Sequence, residues 1–341
     1  MATATVVGLD IGSTRIRAVE AISGKDGTAI GRFGHAELAP GAVDGGVIAD
    51  EKAITAAIRH LWSAQRFKSR DVVLGITNPQ VVVREVDLPQ LPAKHLKQAL
   101  PYQVRDVIPL PIDDTLLDFH PLAEPGTGHT MHGLLVAAPK AAVLSTVRAV
   151  ERAGLSVRRA DLAPFAMLRA AAHPHPGVEA VADIGAAVTT IVIHDGGLPQ
   201  IVRTVPRGGA EITATIASRL NLSLAQAEAS KCEVGLNEAA NPELAEVIGE
   251  ALRPLFGDIL SSINYYSGMR PGTSIDRLAL VGGGSLLPGL TDALGHRTGI
   301  PAYLADPLQH VRQGRRGRHE ALQRHRASAA TCVGLTIGVG G

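Results

Sequence analysis

Two aspartates close two apolar runs in the same way. The first stands in Val7-Gly8-Leu9-Asp10-Ile11-Gly12-Ser13-Thr14-Arg15-Ile16-Arg17, the second in Val181-Ala182-Asp183-Ile184-Gly185-Ala186-Ala187-Val188-Thr189-Thr190-Ile191. Each reads as a strand, a tight turn and a returning strand. A turn of glycine and small or hydroxyl residues can aim several backbone N–H groups at one phosphate, and glycine lets the backbone approach the anion closely. An Asp at the strand end can hold Mg2+ directly or through water, because that ion keeps waters and takes few carboxylates. Asp10 and Asp183 are therefore the candidate metal ligands and the candidate catalytic carboxylates, with Thr190 beside them for positioning water or metal. Two such turns face to face would clamp a polyphosphate between two domains. Either one alone is equally an ordinary β-hairpin with a turn aspartate.

A third element has matching chemistry. Leu278-Ala279-Leu280-Val281-Gly282-Gly283-Gly284-Ser285-Leu286-Leu287 is a buried strand that runs into a triple-glycine turn and then a helix start. The glycines let a flat ligand lie against the backbone, and a helix N-terminus favours negative charge. A tight strand-to-helix turn is the plain alternative.

The elements that would position these residues alternate between strand and helix patterns, which gives an α/β class. Thr5–Asp10, Ile16–Ala21, Ile30–Leu38 and Asp71–Ile76 read as strands. Glu51–Phe67 reads as a helix with Ile54, Ile58 and Leu61 on one face. From Asn78 to Pro125 the chain is rich in proline, which breaks ladders and helices, so short elements and sharp turns are expected there. A Gly/Pro/His turn at 124–129, a strand Gly133–Ala138 and a helix Lys140–Ala153 follow, and residues 85–158 read as an inserted subdomain. Beyond it come the second hairpin, a strand Gln200–Val205, helices from Gly209 to Ser267, the strand Arg277–Val281, a basic loop-like stretch from Asp306 to Arg326 and a last helix, Ala327–Ile337.

The 341 residues balance 33 Lys and Arg against 32 Asp and Glu, which argues against a dedicated nucleic-acid binder. Five Phe, four Tyr and one Trp leave little for a base-stacking platform. Cys232 and Cys332 lie far apart with no metal-ligand spacing, and read as buried thiols of a reducing compartment. The first residues read as a strand rather than a signal peptide, and no apolar run reaches the length of a membrane span. A cytoplasmic protein is expected. The neutral total hides a basic segment: residues 312–326 carry six arginines against Glu320. It reads as a solvated loop or as a patch for an anionic membrane or acidic partner.

The two hairpins and the glycine-rich turn, in this order, resemble the phosphate loops and adenosine motif of the actin-like ATPase superfamily, over nearly the whole chain. That resemblance implies an α/β, ribonuclease H-like pair of domains with a nucleotide cleft between them. The first domain would comprise 1–84 and 159–180 with the C-terminal helix 327–341, and the second 181–326. It implies ATP and Mg2+ as cofactors. Contacts would come from Asp10, Gly12, Ser13, Thr14, Arg15 and Arg17 in the first loop and from Asp183, Gly185, Ala186 and Thr189 in the second. Gly282, Gly283, Gly284 and Ser285 would take the adenosine. Arg17 stands where many members have Lys, which keeps the charge but changes the donor geometry. Ala186 and Ala187 replace residues that are often Gly, Asp or hydroxyl. Arg207-Gly208-Gly209 and Glu228-Ala229-Ser230-Lys231 are similar to the Gly-Gly turn and the ribose-side or adenine-side pair of the FtsA-like branch; an exposed i, i+3 ion pair is the alternative.

Within that branch, Val86-Asp87-Leu88-Pro89-Gln90-Leu91-Pro92, Pro109-Leu110-Pro111-Ile112-Asp113-Asp114 and Asp161-Leu162-Ala163-Pro164-Phe165-Ala166 resemble the PilM family of type IV pilus assembly proteins. The resemblance implies an FtsA-type insert at 85–158 and an adaptor that docks the cytoplasmic tail of a PilN-like inner-membrane protein. It would couple the alignment complex to the pilus motor ATPase, at the inner face of the membrane, with self-association a further expectation. Leu88, Leu91, Leu96, Leu100, Val104 and Ile108 would line the tail groove, or else form the insert's own core. Ala163 stands where many relatives carry an acid, so ATP binding with at most slow hydrolysis is expected. An FtsA-like membrane filament and a small-molecule kinase of the same fold are the competing readings.

Overall fold

Val7, Leu9, Ile16 and Ala18 are fully buried in one core, and their neighbours Val6 and Val19 are buried in others, on two strands that pair antiparallel, Asp10 opposite Arg17. The computed structural model describes residues 4–24, 27–122, 129–174, 176–313 and 320–338. The first stretch holds β1 (Ala4–Ile11), β2 (Arg15–Gly24), β3 (Gly27–Glu37), a small hairpin of β4 (Val43–Asp44) and β5 (Val47–Ile48), α1 (Glu51–Gln65) and β6 (Asp71–Ile76). Asp50 caps α1 by accepting from the amides of Lys52 and Ala53 at 2.8 and 3.0 Å. Ile54, Ile58 and Leu61 of α1 bury against the sheet, each worth about 1.5–3 kcal/mol of transfer free energy.

The proline-rich stretch forms β7 (Val82–Pro89), α2 (Ala93–Gln103), β8 (Thr115–Pro121) and β9 (Thr130–Pro139), a three-stranded antiparallel sheet with one helix. Then α3 (Lys140–Arg152), β10 (Ser156–Leu162) and α4 (Ala163–Ala171) lead back. Val143, Ala149 and Val150 of α3 pack into the core beneath α1, and β10 pairs parallel with β6.

The second half builds β11 (Val178–Ile184), β12 (Thr189–Asp195), β13 (Leu198–Val205), α5 (Gly209–Leu220), α6 (Leu224–Val234), α7 (Pro242–Met269), β14 (Arg277–Val281), α8 (Leu290–Thr298) and β15 (Ala302–Leu304). Its sheet order, β13-β12-β11-β14-β15, repeats the order β3-β2-β1-β6-β10 of the first sheet. In both, the hairpin pairs antiparallel and the following strands pair parallel. The echo of Asp10 and Asp183 in the sequence is thus an echo of topology. Both aspartates lie at the carboxyl ends of central strands, where open α/β sheets bind ligands.

The segment read as a basic loop carries regular elements at both of its described ends. β16 (Arg312–Gln313) adds parallel to β3, and α9 (Glu320–Arg324) buries Leu322 completely. Arg315, Arg316 and Arg318 lie outside the described residues. A short 3-10 turn, Arg326–Ala329, and α10 (Ala330–Gly334) close the chain against β1. That approach is tight: a Cβ on Gly8 would stand 2.2 Å from the Cys332 carbonyl. Cys332 is buried as expected, but Cys232 is exposed on α6, because the buried positions of that helix are Ala227, Lys231 and Val234.

Candidate functional site

Asp10 and Asp183 face one another across the junction of the two halves. Burial raises the pKa of Asp10, and Arg17, with Nη1 3.7 Å from Oδ2 of Asp10, offsets it only in part. Burial, and then the charge of Asp10, push Asp183 up to about 7 against a smaller pull from Arg17. Two buried carboxylates, both raised by burial and one raised further by its partner, form a site short of positive charge. A divalent cation relieves both, and two carboxylates with water suit Mg2+. The residues present therefore fit the metal expected from the sequence.

The two turns are built differently. In the first, the Gly12 amide donates to the Arg15 carbonyl at 3.0 Å, Ser13 is half-buried and Thr14 is exposed. Arg15 pairs with Glu37 at 3.2 Å on the exposed surface. In the second, the Gly185 amide closes the turn on the Val188 carbonyl, and the Gly185 and Ala186 carbonyls accept from the amides of Gly209 and Ala210 at 2.9 and 2.8 Å. Gly208 must be glycine: a Cβ there would lie 2.4 Å from the Gly185 oxygen. Thr189 is buried and donates its hydroxyl to the Arg207 carbonyl at 2.8 Å. Its side chain ties the Gly-Gly turn to the hairpin rather than facing a ligand. Thr190 is 6% exposed with its hydroxyl 3.4 Å from that of Thr204.

The glycine-rich turn completes the frame. Gly282 has φ +87°, a conformation that favours glycine. A Cβ there would sit 2.3 Å from Oδ1 of Asp183 and 2.5 Å from the Ile184 carbonyl. Its amide donates to the Ala327 carbonyl at 2.8 Å, which joins the C-terminal segment to this turn. Gly283, by contrast, is exposed, and nothing lies within 4 Å of where its Cβ would stand. Gly284 packs on Ile184. Ser285 is buried and donates to the Gly282 carbonyl at 2.8 Å, so it braces the turn.

Glu228 and Lys231 are close, but the pair is lopsided. The Lys231 ammonium is buried and spends its three donors on the Gly209 carbonyl at 3.0 Å, Oγ1 of Thr213 at 2.8 Å and Oε2 of Glu228 at 2.6 Å. Lys231 thus anchors the Gly-Gly turn and has no N–H left for a ligand. Glu228 is half exposed; burial pushes it up, but the bonds from Lys231 and Thr213 outweigh that and hold it below its usual range. Thr213 and Asp258 escaped the sequence reading. Asp258 on α7 accepts from Nε of Arg207 at 3.1 Å across 51 residues, and no local pattern announces that pairing. Beside it a cavity of about 700 Å3 runs from Asp44 and Gly45 to Ala186, Ala187, Arg203 and Arg207.

The partner groove requires a correction. Leu88, Leu100, Val104 and Ile108 are 0–7% exposed and pack on Leu135 and Ala137. They are the insert's own core, because α2 lays that face on the sheet of β7, β9 and β8. Leu96 is half-buried on the edge of the same cluster, and Leu91 is half-buried outside it.

The family described as "Type IV pilus assembly protein PilM" matches residues 8–338. A solved PilM-PilN type IV pilus biogenesis complex contains a chain 29% identical, with TM-score 0.85 over 97% of both chains. MreB5 of Spiroplasma citri bound to ADP shares the fold at 14% identity and TM-score 0.55, over 97% of this chain and 94% of that one. The cell division protein FtsA of Enterococcus hirae is 25% identical over 90% of this chain and 79% of its own length. FtsA of Bacillus subtilis is 24% identical, and there the chain spans 61% of the relative. The α/β architecture is that of the actin-like ATPases. Among the described residues no helix is long and apolar enough to cross a membrane.

Proposed function

The chain belongs to the PilM family of type IV pilus assembly proteins, and from that premise we propose that it is a nucleotide-gated adaptor. It holds ATP with Mg2+ between the hairpins of Asp10 and Asp183 and binds the cytoplasmic tail of a PilN-like inner-membrane protein, which keeps it at the cytoplasmic face of that membrane. Three units would share the work: two halves that close on the nucleotide and the insert carried on β7, β8 and β9. The observation that carries this reading is the likeness, at 29% identity over 97% of both chains, to the chain of a PilM-PilN complex.

Each half has a chemical task in this reading. Asp10 and Asp183 hold the cation and its waters, and Arg17 limits the charge on Asp10. The bound metal neutralises phosphate charge. Backbone amides of residues 13–14 and 186–187 donate to phosphate oxygens, since those of Gly12 and Gly185 close their own turns, and the open face at Gly283 receives the base side. Ala163 at the start of α4 offers no carboxylate to orient a water, so hydrolysis is slow and binding does the signalling. Closure of the halves changes partner affinity by favouring one state over another. The tail meets the half-buried Leu91 and Leu96 rather than the four core residues.

Calorimetry with a synthetic peptide of the tail tests it. Binding that changes at least about fivefold between nucleotide-free and Mg-ATP-loaded protein is expected. Equal affinity in both states, or no binding in either, contradicts the adaptor. The resemblance to FtsA supports a second reading, a filament; sedimentation that appears only with Mg-ATP would favour it.

A further inference from the structure

We propose that the C-terminal part of α7 is a relay that conveys the state of the nucleotide cleft to the insert, with Arg207–Asp258 as its input and Arg270–Glu85 as its output. The proposal rests on the nucleotide reading above.

The input end lies at the phosphate side. Arg207 precedes the Gly208–Gly209 turn, and its carbonyl holds the Thr189 hydroxyl of the second hairpin. Its guanidinium binds Asp258 in the middle of α7 at 3.1 Å, and Arg203 of β13 approaches the same carboxylate at 3.5 Å. Any shift of the second hairpin that moves the Gly-Gly turn therefore pulls on α7 at Asp258.

The transmitting segment is stiff. Pro254 removes one helical hydrogen bond, but Asp258 and the Arg270 cap both lie beyond it, on one unbroken run of about 18 Å. Ile259, Ile263 and Tyr266 of that run are buried in the second core.

The output end crosses between units. Nη2 of Arg270 donates to both oxygens of Glu85 at 3.2 Å and to Oε1 of Gln200 at 3.1 Å. Glu85 is on β7 of the insert, and its side chain is 16% exposed while that of Arg270 is 44% exposed, so the pair is buried on the insert side and open to solvent on the helix side. Oε2 of Glu85 is also 3.5 Å from Nε2 of His132 on β9, whose Nδ1 is 2.9 Å from Asp87. The pair thus grips two strands of the insert sheet at once. β7 also packs directly on β13. One rod holds the phosphate-side turn at its middle and the insert at its tip, and it is fixed along its length to one core.

Hydrogen exchange of the full-length chain, with and without Mg-ATP, tests the relay by a charge-reversal cycle. In the wild type, Mg-ATP is expected to change exchange in 82–89 and 130–139 about fivefold. Glu85→Arg and Arg270→Glu should each abolish that response while nucleotide affinity stays within about twofold, and the double reversal should restore it. Glu85→Gln, which keeps the shape and loses the charge, should reduce it. Retention of the response in both single variants overturns the relay. So does nucleotide binding with no response in the wild-type insert, and that result leaves the nucleotide reading standing. Absence of nucleotide binding overturns both.

Discussion

The turn after Asp10 leaves Ser13 half-buried and Thr14 exposed, whereas the turn after Asp183 carries Ala186 and Ala187 and is braced from behind by backbone. The two hairpins share register, sheet order and aspartate. They differ in what fixes them. The second is pinned by two amides from 209–210 and by the Thr189 hydroxyl, and the buried Lys231 holds the pinning turn in place. The first is closed by its own turn and tied from outside by one amide, that of Leu38 to the Thr14 carbonyl at 2.9 Å, and its aspartate has a guanidinium beside it. Asp183 is the less compensated carboxylate of the two. A duplicated motif has thus been divided into a rigid frame and a half with free side chains. Hydroxyl chemistry in the turn is available only on the free side.

The largest effect that would sharpen this contrast separates two adjacent glycines. Gly282→Val places a side chain against Asp183 and Ile184 at positive φ and should cost about 3 kcal/mol or more in denaturant unfolding. Gly283→Val meets open space, should change stability by less than about 0.5 kcal/mol, and should weaken nucleotide binding at least about tenfold. Equal destabilisation by both would break the assignment of Gly283 to the ligand side.

The next effect concerns the aspartates. Asp183→Asn removes the less compensated charge, so it should weaken Mg-nucleotide binding by about 10–100-fold and stabilise the nucleotide-free protein at pH 8. The native pKa of Asp183 is about 7, against an ordinary value of 3.8. Between these values the folded chain keeps a proton that the unfolded chain has lost. Stability of the nucleotide-free protein should therefore fall as pH rises from about 4 to about 7 and then level off, by linkage. Mg2+ binding needs the carboxylate, so affinity should fall as pH drops below about 7. Urea midpoints across this range, for the wild type and Asp183→Asn, check the sign; a flat difference between the two would contradict it.

A smaller effect belongs to the frame alone. Lys231→Met leaves the Gly209 carbonyl and Glu228 without their shared donor and should cost about 1–3 kcal/mol. Its loss of affinity should follow from the loosened turn, so Mg2+ dependence should persist.

Much of the site could be read from residues close in sequence. Asp10 and Asp183 announced their hairpins by a repeated tripeptide, and the triple glycine announced a turn where Gly282 and Gly284 have a steric need for glycine against Asp183 and Ile184 while Gly283 does not. What the sequence hid depends on partners distant in the chain. Leu96, Leu100 and Val104 display a helical face, but periodicity cannot say whether that face is covered. Leu135 and Ala137 on β9 cover it. The six arginines of 312–326 suggested a loop, yet Leu322 among them is fully buried and His325 stacks edge-on against His35 at 4.5 Å between ring centroids. One apolar residue in a charged run carries too little pattern to reveal its core contact. Lys231 looked like a ligand contact because its spacing from Glu228 was legible; the Gly209 and Thr213 oxygens that occupy it were not.

Titration of a fluorescent ATP analogue tests the central claim most directly, at pH 8 and pH 6, with Mg2+ and with EDTA. Saturable binding that needs Mg2+ at pH 8, weakens at pH 6 and loses its Mg2+ dependence in Asp183→Asn is the predicted result. No binding, or binding indifferent to Mg2+ and to that substitution, would contradict a nucleotide held between the two aspartate hairpins.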